Sequence, residues 1–530
     1  MKIQLIKKII LFTAILALFA FRPGQSQNTL IVNADLGETQ ISRHIYGQFA
    51  EHLGRGIYEG VWVGEDSEIP NIEGYRTDVL QALQELEIPN VRWPGGCFAD
   101  EYDWRDGIGS RAERPKRINT HWGQVIEDNS FGTHEFLRFA ELINAEPYIS
   151  ANMGSGTPAD MQDWIEYMTS DSESTLAELR RANGREEPWK IKFFGIGNES
   201  WGCGGHMTAS YYSDLYRQFS TYAKNYSGNK LYKIASGFQN DEYDWTETLM
   251  REIGPRMDAV SLHYYTVAGD DGWNDKGPST DFGLDWYFGG IHAAYKMDTW
   301  ITNHSTRMDK YDPQKRIALA VDEWGIWTWS LEGTTNGFLE QQNSMRDALV
   351  AAISLDIMNA HADRVRIANI AQMVNVLQSM IRTEGNQMFL TPTYHVFHMY
   401  KVHHDANLLP MQLSSNTWTF KEEGTERHDA GSAVASISAT ASEKNGIVNL
   451  TISNSNPGAR ENVSIDFRGK NFDHVVENSA RILTSPSFNS INTVDQPTVV
   501  KPISYTDVSL QDGVLTLELP PYSIVVLQLK

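Results

Sequence analysis

A repeated alternation of short apolar segments and amphipathic helical patterns dominates the chain between about residues 44 and 373. The stretch 75–87, for example, places Val79, Leu80, Leu83 and Leu86 on one helical face. Such alternation is typical of parallel strands joined by crossover helices. Eight units in about 330 residues fit a closed (β/α)8 TIM barrel with insertions, and an open doubly wound sheet is the alternative. The predicted strands lie within 44–53, 90–98, 146–154, 191–199, 231–238, 257–265, 316–325 and 365–373.

Nearly every predicted strand begins with apolar residues and ends with a polar one. Barrel enzymes carry their active sites at the carboxyl ends of the strands. Polar ends from segments so far apart in the chain therefore indicate one site at a barrel mouth, and they favour the closed barrel. These polar residues are Glu51, Arg92, Cys97, Asn152, Asn198, Glu199, His263, Tyr265, Glu323 and Gln372.

The residue pattern changes at about Asp405, where alternating apolar and polar residues replace the helical periodicity. This period-2 pattern with Gly, Pro and Asn turns predicts a C-terminal antiparallel β-sandwich of the jelly-roll type. The segment 28–35 precedes the barrel and is expected to add a strand to that sandwich. The predicted organisation is a signal peptide at 1–26, an N-terminal strand region at 27–43, the barrel at 44–404 and the sandwich at 405–530.

The N-terminal segment has the composition of a secretory signal peptide. Lys2, Lys7 and Lys8 precede an apolar run over 9–21, and a polar stretch follows. The run is too short for a membrane-spanning helix, which needs about 20 residues. We therefore expect a secreted or periplasmic protein that does not stay in the membrane.

The charge and motif content narrow the classes of partner. A net charge of −22 makes nucleic acid an unfavourable partner. A G-x-G-x-x-A pattern at 154–159 lacks the acidic residue that a dinucleotide-binding site needs, which argues against a nucleotide cofactor. The histidines near 395–404 lack an H-E-x-x-H motif, which argues against a metal site. We expect neither a cofactor nor a metal. The two cysteines, Cys97 and Cys203, have no zinc-site spacing, and the sequence leaves open whether they pair.

Two glutamates are the candidate catalytic groups. Glu199 follows Asn198 at the end of the fourth predicted strand, and Glu323 lies at the end of the seventh. Three strands of eight separate them, so they are expected to face each other across the mouth. Cleavage of a glycosidic bond uses two carboxyl groups, and a separation of about 5–5.5 Å gives retention of configuration.

Several motifs together resemble glycoside hydrolase family 51, the α-L-arabinofuranosidases of clan A, from about residue 30 to the C-terminus. They are Phe49-Ala-Glu51-His-Leu-Gly, Val91-Arg-Trp-Pro-Gly-Gly-Cys97-Phe, Gly197-Asn-Glu199, Ser261-Leu-His-Tyr-Tyr265, Asp322-Glu323-Trp and Asn369-Ile-Ala-Gln372. The resemblance implies a retaining, exo-acting enzyme with Glu199 as acid/base and Glu323 as nucleophile. It implies that the furanose contacts are Glu51, Arg92, Cys97, Asn198, His263, Tyr265 and Gln372, and Trp327 is expected to add an aromatic surface at the same rim.

The expected substrates are plant cell-wall polymers or oligosaccharides, such as arabinan or arabinoxylan, that carry terminal arabinofuranose. Another clan A glycosidase, a β-xylosidase or endo-glucanase, is the enzymatic alternative, and a non-catalytic carbohydrate-binding protein is the third. The protein is also expected to be able to form a homo-oligomer, although the sequence does not determine the number of subunits. Two departures from the family pattern, Gly325 and the glycine-rich loop 202–205, are expected beside the leaving group.

Overall fold

The computed structural model describes residues 28–420 and 432–530. The predicted signal peptide at 1–26 lies outside these residues. In the part of the chain that is described, no helix combines the length and the apolar character needed to cross a membrane.

Eight parallel strands close into a barrel, and their order around the ring is their order in the chain. The last strand pairs with the first through Asn369 and Gly47, which rules out the open sheet. Each predicted strand segment overlaps one barrel strand, so the predicted fold class is confirmed. The barrel strands are Gly47–Phe49, Asn90–Trp93, Glu146–Ala151, Phe193–Ile196, Tyr232–Ala235, Ala259–Thr266, Ala318–Ile326 and Val365–Ile370.

Helices surround the barrel and bury their apolar faces against it. The helix Thr77–Leu86 buries Val79, Leu80, Leu83 and Leu86, the stripe that its spacing predicts. The other helices are Thr133–Leu142, Pro158–Thr169, Thr175–Ala182, Ala209–Tyr222, Tyr243–Ile253, Leu284–Asp309, Met345–Ala360 and Pro392–Tyr400.

Two further sheets form the C-terminal sandwich. Leu30 and Ile465 of one sheet and Leu450 and Leu527 of the other belong to the same buried apolar cluster. Asn28–Asn33 lies in the first sheet and runs parallel to Glu461–Arg468, so the sandwich is not purely antiparallel. The main strands of the first sheet are Asn28–Asn33, Met411–Ser414, Glu461–Arg468, Val508–Gln511 and Val514–Leu519, and those of the second are Ile437–Lys444, Ile447–Asn454, Arg481–Leu483 and Ser523–Leu529.

A buried carboxyl group connects the barrel to the sandwich. Asp356 lies on the helix Met345–Ala360, whose residues are buried on every side up to Asn359. Its carboxyl oxygens accept hydrogen bonds from Ser438 Oγ and Thr440 Oγ1 of the sandwich at 2.6 Å each, and from Tyr400 at 3.1 Å. Burial raises the pKa of Asp356 to about 7, although these hydroxyl donors oppose the shift.

We expect Asp356→Asn to lower the thermal midpoint more at pH 5 than at pH 8. The folded-state pKa of Asp356 is raised, so the folded protein holds a proton that the unfolded chain releases at about pH 4. The stabilisation from the neutral carboxyl is therefore present at low pH and is lost as pH rises through 7, whereas asparagine does not titrate. Differential scanning fluorimetry of both proteins from pH 5 to 8 measures the difference. A difference that grows with pH would contradict the assignment.

Candidate active site

The fourth and seventh barrel strands bring the two candidate glutamates together. Gly197 and Glu199 have φ values of 86° and 37°, so the chain turns sharply where the fourth strand ends. Glu323 lies within the seventh strand, opposite His263 of the sixth. One carboxylate oxygen of Glu199 lies within 4.8 Å of one of Glu323. That separation suits attack on one anomeric carbon with retention.

Two donors hold the Glu323 carboxylate in place. Arg92 Nη1 donates to Oε1 at 2.7 Å, and the Tyr265 hydroxyl donates to Oε2 at 2.8 Å. The other terminal nitrogen of Arg92 donates to Asn198 Oδ1 at 2.6 Å, so one guanidinium orients side chains from both catalytic strand ends. All of these groups are buried or nearly so, which makes charge-assisted hydrogen bonds strong.

A buried histidine lies among three carboxyl groups. His263 Nδ1 is 2.8 Å from Glu199 Oε1 and 3.6 Å from Glu323 Oε2, and Nε2 is 3.4 Å from Asp322 Oδ1. Burial alone lowers the pKa of His263, but Glu323, Asp322 and Glu199 together raise it to about 10. The imidazole is therefore a cation at neutral pH. Burial raises the pKa of Asp322, yet Arg92 and His263 outweigh it and bring the value to about 2.

Glu51 forms the floor of the site with Gln372. Its carboxyl oxygens accept from Phe98 N at 3.1 Å, Trp122 Nε1 at 2.9 Å and Gln372 Nε2 at 3.2 Å. Burial, followed by the charge of Glu323, raises the pKa of Glu51 to about 7. A Cβ on Gly96 would lie 3.1 Å from Glu51 Oε1 and 3.2 Å from Glu323 Oε1, so glycine permits this close approach.

These groups surround one cavity of about 390 Å³ at the carboxyl ends of the strands. The predicted site residues that line it are Glu51, Cys97, Glu199, Tyr265, Glu323, Trp327 and Gln372. Arg92, Asn198 and His263 do not line the cavity but contact its carboxylates or their neighbours from behind. Ten residues predicted from sequence thus belong to one connected site.

The two cysteines form a disulfide, which answers a question that the sequence left open. It joins the loop after the second strand to the loop after the fourth, and Cys203 Sγ lies 3.6 Å from Glu199 Oε2. Gly325 is not among the residues that line the cavity, and its place beside the leaving group stays a prediction. With a φ of +139°, it lies where a Cβ would meet Gln378 Oε1 at 3.2 Å.

Several residues of the site were not predicted. Asp322 pairs with Arg92 and His263, and its position directly before Glu323 at a strand end is a signal that could have found it. Trp122, Trp201 and Lys276 line the cavity from turns and loops, and Trp273 lines it from the short 3-10 helix Gly272–Asn274. No periodicity marks such loop residues.

A TIM barrel with two glutamates within 4.8 Å at its mouth, one of them held by an arginine and a tyrosine, defines a retaining glycoside hydrolase. Comparisons with known proteins narrow this class. Residues 82–276 match the α-L-arabinofuranosidase 1 domain, and residues 322–523 match the α-L-arabinofuranosidase C-terminal domain.

Two curated relatives and a solved structure agree with these family matches. An intracellular exo-α-L-arabinofuranosidase of Bacteroides ovatus is 48% identical over 99% of both chains. An intracellular exo-α-(1→5)-L-arabinofuranosidase of Bacillus subtilis is 30% identical over 73% of this chain and 77% of that protein. The crystal structure of a GH51 arabinofuranosidase from Xanthomonas axonopodis pv. citri superposes with a TM-score of 0.91 at 47% identity, covering 95% of this chain and all of that one. The chain belongs to the α-L-arabinofuranosidases of glycoside hydrolase family 51, and it is a hydrolase.

The predicted secreted or periplasmic location is wrong. These two curated relatives are named intracellular enzymes, which contradicts the location inferred from residues 1–26. A few lysines before an apolar run are a compositional pattern, and the comparison with relatives that match most of the chain outweighs it.

We expect NMR of ¹⁵N-histidine-labelled protein to show one imidazole with both nitrogens protonated at pH 8. The raised pKa of His263 keeps its proton until about pH 10, while an ordinary histidine is neutral above about pH 7. The signal should vanish in His263→Gln and remain in His474→Gln, an exposed control in the sandwich. Loss of this charge-bearing donor should also lower kcat about 100-fold. A neutral His263 at pH 8 would contradict the assignment.

Proposed function

We propose that the protein is an exo-acting α-L-arabinofuranosidase in which Glu323 is the nucleophile and Glu199 is the acid/base. The observation that carries the proposal is the unequal support of two adjacent carboxyl groups. Glu323 receives donors from Arg92 and Tyr265, which stabilise an anion. The Glu199 side chain is 17% exposed, against 7% for Glu323, so Glu199 lies closer to the solvent from which the leaving group and the water exchange.

The cycle consists of two displacements. Glu323 attacks the anomeric carbon while Glu199 gives its proton to the departing glycosidic oxygen, which forms a glycosyl ester on Glu323. Glu199, now a carboxylate, removes a proton from a water molecule. That water attacks the same carbon, releases arabinose and regenerates the Glu323 carboxylate and the protonated Glu199.

The remaining groups are proposed to bind the terminal furanose. Glu51 and Gln372 present acceptor and donor atoms to ring hydroxyls at the floor of the cavity. Asn198, which Arg92 orients, is proposed to donate to the hydroxyl next to the anomeric carbon. Cys97 lines the same cavity, and Trp327 provides a flat face at the rim. His263 supplies positive charge beside both catalytic groups.

A cavity of about 390 Å³ favours release of one terminal sugar over cleavage inside a long chain. The names of both curated relatives also describe exo action. We propose arabinan, arabinoxylan or related plant cell-wall oligosaccharides as natural substrates. A homo-oligomer remains part of the proposal, to be measured by light scattering.

We expect Glu323→Ala to lose activity on every arabinofuranoside, because no nucleophile remains. Glu199→Ala should retain most activity on 4-nitrophenyl α-L-arabinofuranoside, whose leaving group departs without a proton, if ester hydrolysis is assisted by added azide. On an α-1,5-linked arabinobiose it should lose about 10²–10⁴-fold in kcat/KM. Glu178→Ala, an exposed glutamate on the helix Thr175–Ala182, is the matched control.

Four outcomes would overturn parts of the proposal. Equal losses on both substrates in Glu199→Ala would remove its acid role. The anomeric configuration of the first product can be measured by ¹H NMR. An inverted configuration would refute the double-displacement mechanism. Faster turnover of 4-nitrophenyl β-D-xylopyranoside than of the arabinofuranoside would favour another clan A activity, and no turnover of either would favour a binding protein.

A further inference from the structure

Lys276 is a cation inside the catalytic cavity that the reaction described above does not use. It lies in the loop after the sixth barrel strand, Ala259–Thr266, and lines the same cavity as Glu199 and Glu323. The backbone next to it is held by a hydrogen bond from Trp329 N to Gly277 O at 2.8 Å. This bond joins the loop of Lys276 to the segment that follows the seventh strand, Ala318–Ile326.

Two indole rings hold the ammonium group of Lys276. Its Nζ lies 5.3 Å from the ring centroid of Trp327 and 5.7 Å from that of Trp273. The two rings are 5.0 Å apart and nearly perpendicular. Contacts of this kind attract a cation through the ring faces and leave its N–H donors free.

No carboxylate in residues 28–420 or 432–530 forms an ion pair with Lys276, and burial is the one cause that lowers its pKa. The other buried cations of the site are all paired: Arg92 with Glu323, and His263 with Glu199 and Asp322. The chain has 67 acidic and 45 basic residues, so partners are abundant. A cavity-lining lysine that has no carboxylate partner among the described residues is available to a ligand.

The position of Lys276 assigns it to the leaving-group side. The floor of the cavity consists of Glu51 and Gln372, which are 2% exposed, whereas Trp273 at the rim is 40% exposed. The ring of Tyr265, whose hydroxyl binds Glu323, lies 5.0 Å from Trp327 and 6.1 Å from Trp273. Lys276, whose ammonium contacts Trp273 and Trp327, therefore lies toward the rim that opens to solvent, which is the direction in which the leaving group of a furanose bound at the floor extends.

Charge decides which leaving group gains from this arrangement. Lys276 is the one basic residue among the described residues that line the cavity, and Glu51, Glu199 and Glu323 line it too. A negatively charged leaving group would be repelled by these carboxylates unless a nearby cation offset them. We propose that Lys276 makes the enzyme select arabinofuranosides whose leaving group carries a carboxylate near the cleaved bond, as a uronic acid residue does. This inference rests on the proposed function.

The test uses two substrates of nearly equal shape, 3-carboxyphenyl and 3-carbamoylphenyl α-L-arabinofuranoside. The quantity measured is the ratio of kcat/KM for the anionic over the neutral substrate, because intrinsic differences between the two phenols cancel when enzymes are compared. We expect this ratio to fall about fivefold in Lys276→Met and to stay near the wild-type ratio in Lys276→Arg. Raising the salt concentration should lower the wild-type ratio and leave that of Lys276→Met unchanged.

Lys230→Met is the matched control, because it removes the same charge from an exposed position before the fifth strand, at the opposite end of the barrel. An unchanged ratio in Lys276→Met, or an equal fall in Lys230→Met, would overturn the inference. Wild-type turnover of 4-nitrophenyl α-L-arabinofuranoside distinguishes failure of the proposed function from failure of the proposed role of Lys276. If that turnover is absent, the proposed function fails; if it is present and the ratios do not differ, the role of Lys276 alone fails.

Discussion

The hydrogen bonds of the Arg92 guanidinium are the interactions on which the rest of the site depends. The guanidinium is buried, and it donates to Glu323 and to Asn198 from two different nitrogens. The third nitrogen, Nε, lies 3.8 Å from Asp322. Because its plane fixes the directions of these bonds, the ends of the second, fourth and seventh strands are held in one geometry. A lysine could supply the positive charge at the same place, but it could not donate two hydrogen bonds in the fixed directions of a guanidinium.

The density of acidic groups at the barrel mouth explains why two buried cations are needed. Glu199, Asp322 and Glu323 lie around a single imidazole, and carboxylates so close together destabilise one another unless positive charge lies between them. The negative charge of these three carboxylates raises the pKa of His263. Lys276 differs from Arg92 and His263, because the contacts of its ammonium within the described residues are with the rings of Trp273 and Trp327.

The sandwich completes the burial of the barrel. The helix Met345–Ala360 is apolar on nearly all sides because the barrel covers one face and the sandwich another. Within that contact, Asp356 collects three hydroxyl donors, and His403 contacts Ser442 and Thr451 of the sandwich. The histidines near residue 400 thus include at least one that joins the two parts of the chain.

The sequence by itself determined the barrel, since hydrophobic periodicity and polar strand ends are local properties of the chain. It also determined the placement of Glu199, Glu323 and most of their partners, because parallel strands deliver their carboxyl ends to one mouth. Only the tertiary structure decided the disulfide, the parallel pairing of Asn28–Asn33, and the contacts of Trp122, Trp273 and Lys276. These features depend on how irregular loops and distant strands meet in space, and no spacing along the chain encodes that.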